Sequence, residues 1–204
     1  MEKTYEVSFE IAGSAAMFTR PDSGAAQVSY PAPTFSAAKG MFEAIARWKS
    51  ACIRPIKVEI CKPIKYHKYT TNYGGPLRKS NQMAQGSSYQ IPATILIDVC
   101  YRMYGIVEEI AQSPHDNNHL HALQDFFNRR LNKGRLYYTP CLGWKEFVPS
   151  YVGEFREGTK KQADINIVIP SMLHSVFDKI SDGQVAPSFA VDAVIKEGEL
   201  IYAK

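Results

Sequence analysis

Residues 4–11, TYEVSFEI, alternate without a break: Tyr5, Val7, Phe9 and Ile11 fall on one side and Glu6, Ser8 and Glu10 on the other. A side-chain period of two is that of a half-buried strand. Residues 34–48, TFSAAKGMFEAIARW, change the period. Phe35, Ala38, Met41, Phe42, Ile45 and Trp48 recur three or four apart, and Thr34 or Ser36 can cap the start, so the spacing predicts an amphipathic helix. Gly40 inside it costs about 1 kcal/mol against alanine, which points to close packing or backbone approach there.

Working outward, Ile56, Val58 and Ile60 alternate with Lys57, Glu59 and Cys61 as a second strand, and Ile95, Ile97, Val99, Tyr101 and Met103 form a third. From about Asn118 to Lys133 the residues Leu120, Leu123, Phe127 and Leu131 line a second helix, which Gly134 is placed to stop. Residues 136–138 begin a further strand. The order strand, helix, strand, strand, helix, strand predicts an α+β fold of the ferredoxin-like βαββαβ type, the order also found in RNA-recognition modules. Shorter strands are expected at 144–148, 165–169, 189–195 and 200–202, so a domain over 1–145 carries a β-rich extension over 146–204.

The 204 residues suffice for one proper core, and 45% hydrophobic with 22% charged residues exclude a disordered chain. No apolar run reaches the ~20 residues of a membrane span. The charged start, MEKTYEVSFEIAG, lacks the apolar block of a signal peptide, so a cytoplasmic location is expected. Cys52, Cys61, Cys100 and Cys141 form no CxxC pair and read as free thiols.

Charge is unevenly spread. Between Arg47 and Lys79 nine basic residues face one acid, Glu59; from Phe126 to Lys145 five basic residues face none. The remainder is therefore net acidic, and two basic segments on such a chain describe a polyanion-binding face. Residues 65–90, KYHKYTTNYGGPLRKSNQMAQGSSYQ, have no period and are long for a plain connection, which marks a functional loop or protruding hairpin. In it Tyr66, His67, Lys68 and Tyr69, then Arg78 and Lys79, interleave rings with cations, the pattern that holds single-stranded RNA by stacking and phosphate neutralisation. The alternative is an ordinary solvated surface. GGPLRK at 74–79 is not a P-loop, and no GxSxG or HExxH motif is present.

His115, His119 and His121 cluster at the start of the second helix with Asp116 nearby. Three readings stand: solvated histidines, a metal site, or acid–base chemistry on a ribose 2′-OH, for which imidazole suits either proton role. Arg129, Arg130 and Lys133 could neutralise a phosphorane, or simply complement the helix dipole.

SAAMFTRPDSGAAQVSYPAPTFSAAKGMFEAIARWK at 14–49, KPI at 62–64 and FFNRRLNKGRLYYTPCLGWKEF at 126–147 resemble the CRISPR-associated Cas-five family, above all its subtype I-C branch. The resemblance spans most of residues 4–150. It implies a ferredoxin-like domain of the RAMP type that holds the 5′ repeat handle of CRISPR RNA in a Cascade complex. Implied partners are the Cas-seven backbone and Cas-eight large subunits, with target DNA as a further one; no membrane, metal or cofactor is implied. In this branch the subunit also cuts precursor CRISPR RNA without metal. The branch pattern has a tyrosine or histidine before the Trp-Lys that ends the first helix; here Ala46-Arg47 precedes Trp48-Lys49. Its Lys-His before the NRR segment corresponds to Ala122-Leu123 without gaps or, with two extra residues, to Leu120-His121, so at most the histidine is kept. The expected catalytic set is His121, His119 and Arg47. Arg20, Lys39, Trp48 and Lys49 join Tyr66–Tyr69, Arg78, Lys79, Arg129, Arg130 and Lys133 as the expected RNA-binding set. Two other readings are a structural capping subunit that binds a pre-cut handle, and an unrelated ferredoxin-like enzyme with a compact pocket for a small anion.

Overall fold

The computed structural model describes residues 4–73, 78–110, 118–176, 180–181 and 184–202. The elements run β1 (Glu6–Ala16), β2 (Gln27–Val28), α1 (Phe35–Ile45), β3 (Ala51–Ile60), β4 (Tyr66–Tyr73), α2 (Ser80–Ala84), β5 (Tyr89–Glu109) and α3 (His119–Lys133). There follow β6 (Tyr151–Gly153), β7 (Ile167–Ser175), β8 (Ile180–Ser181), β9 (Gln184–Val185), β10 (Ser188–Lys196) and β11 (Glu199–Ile201). The architecture is mixed α/β on a largely antiparallel sheet ordered β6-β1-β5-β3-β11-β10-β7, with β2 and β4 also paired to β5.

The alternation in β1 sorts its two faces. Phe9 sits opposite Met103 of β5, which sits opposite Val58 of β3, and all three are fully buried. The Phe9 ring meets Phe42 of α1 at 5.0 Å and Phe127 of α3 at 6.2 Å, so both helices cover this face. Helix α3 starts at Asn118, whose side chain accepts from the His121 N–H, and stops at Gly134 in the left-handed region, where glycine is unstrained. Thr34 caps α1 by accepting from the Ala37 N–H.

Three expectations about elements change, and one about Gly40. Helix α1 ends at Ile45, not Trp48, because the chain turns extended at Ala46. Residues 136–138 form no strand: the N–H groups of Tyr137 and Tyr138 instead donate to the carbonyls of Ile45 and Ala44, closing the end of α1. Residues 144–148 are a turn, with Trp144 stacked on Phe147 at 5.8 Å. The strand flanking β1 is β6, whose Val152 lies opposite Ile11. At Gly40 an added Cβ would meet nothing within 4 Å, so close packing does not explain it; its carbonyl is approached by the Tyr138 hydroxyl at 3.5 Å.

The residues between β6 and β7 cross the other face of the sheet. Phe155 packs edge-on to Tyr104 at 5.4 Å, and the Arg102 guanidinium stands over the Phe155 ring at 4.7 Å. Glu10, on the polar side of the β1 alternation, is fully buried beneath this strap. It accepts from Arg156 Nε at 2.5 Å, Thr159 Oγ1 at 2.9 Å and Arg102 Nε at 3.4 Å. The sheet face that RNA-recognition modules use for stacking is thus covered here by the chain itself. Among the described residues no helix is long and apolar enough to cross a membrane.

Candidate nucleic-acid interface

β4 and the first part of β5, with α2 between them in the chain, form a hairpin arm. β4 pairs with the first part of β5, Tyr66 opposite Leu96 and Tyr69 opposite Ala93, and Leu96 also lies opposite Ala16 of β1, so the arm grows out of the sheet where β1 ends. Tyr66 is 47% exposed, and His67 and Lys68 are exposed. Tyr69 packs edge-on to Phe147 at 5.7 Å, which fastens the arm to the 142–147 turn. That turn is itself fixed to β1: the Met17 N–H donates to the Leu142 carbonyl, and Trp144 Nε1 donates to Thr19 Oγ1.

At the arm's foot Arg20 is paired with Asp22 at 2.7 Å and lies 5.7 Å from the Tyr30 ring centre. Partial burial pushes the Tyr66 phenol up, with Arg20 opposing. Arg78 donates to the Ser87 carbonyl at 2.7 Å, and the Lys79 N–H donates to Gln82 Oε1. Residues 74–77, with the paired glycines, lie outside the described residues.

A second group forms where α1 and α3 meet. The Trp48 ring packs on Phe126 at 5.8 Å, and the guanidinium of Arg130 lies 4.4 Å from the same Phe126 ring, that of Arg129 5.8 Å. Arg130 also donates to the Arg135 carbonyl at 3.0 Å, while its Nε is buried without a hydrogen-bond partner. Arg47 is 59% exposed and holds Glu43 at only 3.9 Å; Lys49 and Lys133 are exposed. Lys39 lies further back on α1, half-buried near Cys52, whose thiol is pushed up by burial and partly restrained by that lysine.

The histidines differ in setting. His119 is mostly buried, with Nε2 3.7 Å from Glu109 Oε1, beyond hydrogen-bond reach. Glu109 pairs opposite Ala51, two residues after Lys49, so His119 stands by the start of β3, at the opposite end of α3 from Lys133. The His121 side chain is 49% exposed, with Nδ1 3.5 Å from Asp125 Oδ2 and its ring edge-on to Tyr5 at 5.7 Å. The Tyr5 hydroxyl accepts from Asn118, the residue that caps the helix under His121. His115 and Asp116 lie outside the described residues. Among the described residues no three His, Cys, Asp or Glu side chains are grouped to hold a metal.

The first basic segment is weaker than its count. Arg54 is paired with Glu108 at 2.7 Å, Lys57 with Glu59 at 3.2 Å and Glu199 at 3.1 Å, and Lys62 with Asp98 at 3.6 Å. These carboxylates come from β5, β11 and the β3 strand itself, so no reading of one segment finds them all. The exposed cations there are Arg47, Lys49, Lys62, Lys65, Lys68 and Lys79, of which Lys62 faces Asp98. Sequence reasoning also passes over Glu10 and Arg156, and over Tyr137 and Tyr138, for which the local signal is an aromatic pair following Arg135 in a stretch without period.

Residues 7–190 match the family model described as CRISPR-associated protein (Cas_Cas5). The chain belongs to that family. It is 32% identical over 165 residues to the CRISPR pre-crRNA endoribonuclease Cas5d of Thermus thermophilus, covering 79% of this chain and 69% of the relative. To the protein of the same description from Mannheimia succiniciproducens it is 31% identical over 157 residues, 69% of each. Among solved structures, one described as a CRISPR-associated protein superposes with a TM-score of 0.73 at 20% identity, over all of this chain and 94% of that one. Protein SMU1763c of Streptococcus mutans gives 0.70 at 18% identity over 98% and 92%. A chain of a CRISPR RNA-guided surveillance complex gives 0.53 at 16% identity over 98% and 91%. These three share the fold of this Cas5-family chain.

Proposed function

We propose that this Cas5-family chain is a CRISPR RNA-binding subunit of a type I, I-C-like Cascade complex that holds the 5′ repeat handle and cuts precursor CRISPR RNA. The reading is carried by one observation: a chain more than 30% identical to two Cas5d endoribonucleases packs Trp48 and the guanidinium groups of Arg129 and Arg130 on Phe126, with Arg47 and Lys49 flanking Trp48 in the chain and His119 and His121 in the first turn of the same α3. The β6-β1-β5-β3 order with both helices on one face supports a ferredoxin-like RAMP domain over 1–145, whose sheet is completed by β6 from the 146–204 extension. The Cas-seven and Cas-eight subunits are the proposed protein partners, target DNA a further ligand, and the cytoplasm the proposed location.

The strap leaves the helix side and the arm for RNA. A strand laid from the arm past the 142–147 turn to the α1–α3 corner meets Arg20, Lys68, Arg78 and Lys79 first, then Lys49, Arg129, Arg130 and Lys133. In the first turn of α3 His121, more exposed than His119, takes the proton of a ribose 2′-OH. The 2′-oxygen attacks the adjacent phosphorus, the bond to the 5′-oxygen breaks, and an acid returns a proton to that oxygen, leaving a 2′,3′-cyclic phosphate and a 5′-OH end. Arg47 stabilises the phosphorane charge; its long exposed pair with Glu43 costs at most about 1 kcal/mol to give up. His119 with Glu109 stands behind as the second proton-transfer group.

The test is cleavage of a repeat-hairpin RNA in EDTA. The expected result is a 5′-OH product, slowed about a hundredfold or more by His121→Ala and measurably by His119→Ala. Intact precursor together with tight binding of a pre-cut handle would establish the capping role instead; cleavage unaffected by either variant would overturn the histidine assignment.

A further inference from the structure

Tyr137 and Tyr138 are 54% and 46% exposed, two adjacent large rings that each leave about half their surface in water. Their position is fixed from several sides. Gly134 and Arg135 are tied to the last turn of α3, the Arg135 N–H donating to the Arg130 carbonyl at 3.0 Å. The Tyr137 and Tyr138 N–H groups donate to the end of α1 at 3.2 and 3.1 Å, and the Tyr138 hydroxyl reaches the Gly40 carbonyl. The rings stand edge-to-face at 5.5 Å. A platform held this way loses little freedom when something stacks on it.

The surroundings select the ligand. Arg135, Lys133 and Arg129 are exposed on the α3 side, Arg47 on the α1 side and Lys145 further along the loop; the acids nearby are Glu43, already facing Arg47, and Glu146. Burial and Glu43 push the Tyr138 phenol up, so the ring stays uncharged beside phosphates. We propose that Tyr137 and Tyr138 form a base-stacking platform for single-stranded RNA, taking unpaired bases whose flanking phosphates meet Arg47, Lys133 and Arg135. The platform deepens the RNA-handling reading above and rests on it. It lies between the arm and the α1–α3 corner, on the route the strand takes.

Fluorescence anisotropy with two probes tests it: a short unstructured RNA of mixed sequence, and an abasic ribose–phosphate oligomer of the same length and charge. The Tyr137→Ala/Tyr138→Ala variant should bind the mixed RNA roughly tenfold more weakly or worse. The same variant should bind the abasic oligomer as the unaltered protein does. Tyr138→Phe, which drops the hydroxyl contact but keeps the ring, should bind near normally. Unchanged affinity of the alanine variant for the mixed RNA, as expected if the rings face a protein subunit, overturns the platform while leaving the RNA-binding role intact. An equal loss for the abasic oligomer or for Tyr138→Phe overturns it too. If the unaltered protein binds neither probe, the RNA-handling role itself falls and the platform with it.

Discussion

Arg156 Nε donates to Glu10 Oε1 at 2.5 Å, and this contact ties the strap between β6 and β7 across the sheet face that the helices leave bare. The carboxylate is fully buried, and the Arg156 side chain is 46% exposed. Burial pushes the Glu10 carboxyl up, but hydrogen bonds from Arg156 and Thr159 outweigh it and the net shift is downward.

Glu10→Gln should therefore destabilise the fold by about 2–3 kcal/mol, at or below the lower end for breaking a buried pair because Arg156 can turn to water. The sign of the pH dependence follows. A carboxyl whose folded pKa is depressed contributes stability that is full above its unfolded value, near ~4.3, and is lost as pH falls through the folded value. Thermal unfolding followed below about pH 5 should show a steeper acid loss for the unaltered protein than for Glu10→Gln. Parallel acid profiles would contradict this account of Glu10.

Gly143 has φ of 91°, and a Cβ there would stand 1.8 Å from the Met17 carbonyl oxygen. Both the backbone conformation and the collision penalise alanine, and the obstacle is backbone rather than a mobile side chain. Gly143→Ala should lower stability by more than about 3 kcal/mol, whereas Gly158→Ala, where an added Cβ meets nothing within 4 Å, should lie within about 0.5 kcal/mol. Chemical denaturation of the two variants checks the contrast.

His121 and Asp125 are both well exposed and 3.5 Å apart, so the pair is weak. Asp125→Asn should slow cleavage less than about tenfold, against the hundredfold or greater loss expected for His121→Ala. A loss as large for Asp125→Asn would mean the carboxylate itself handles a proton.

Charge reversal at Lys68 and Lys79 on the arm should weaken RNA binding more than reversal at Lys161 and Lys196. Lys161 already faces Glu199 at 3.6 Å, and Lys196 lies on β10, away from both cation groups. Equal effects at the two pairs would show that only overall charge matters.

Periodicity locates β1, α1, the later part of β3, α3 and the middle of β5, from Ile95 to Met103, because each has one face in the core. The arm escaped it for the same reason reversed: along β4 most side chains are exposed on both faces, so no burial rhythm is written into the residues. Glu10 was legible as the polar side of a strand but not as a buried anchor, since Arg102, Arg156 and Thr159 come from positions about 90 to 150 residues away. Residues 136–138 have strand-like composition, yet the unsatisfied carbonyls at the end of α1 claim their N–H groups. The basic counts hold as counts, but carboxylates such as Glu108, Glu199 and Asp98, distant in the chain, already pair several of these cations.

The central claim is that one RNA strand crosses both the arm and the α1–α3 corner, and salt dependence tests it most directly. With about six phosphates neutralised, log affinity for single-stranded RNA against log salt should have a slope of about −4. Lys68→Gln with Lys79→Gln should reduce the magnitude by about 1.4, Arg129→Gln with Lys133→Gln by about the same, and all four together by about 2.8. A slope that responds to one pair and ignores the other would contradict the claim.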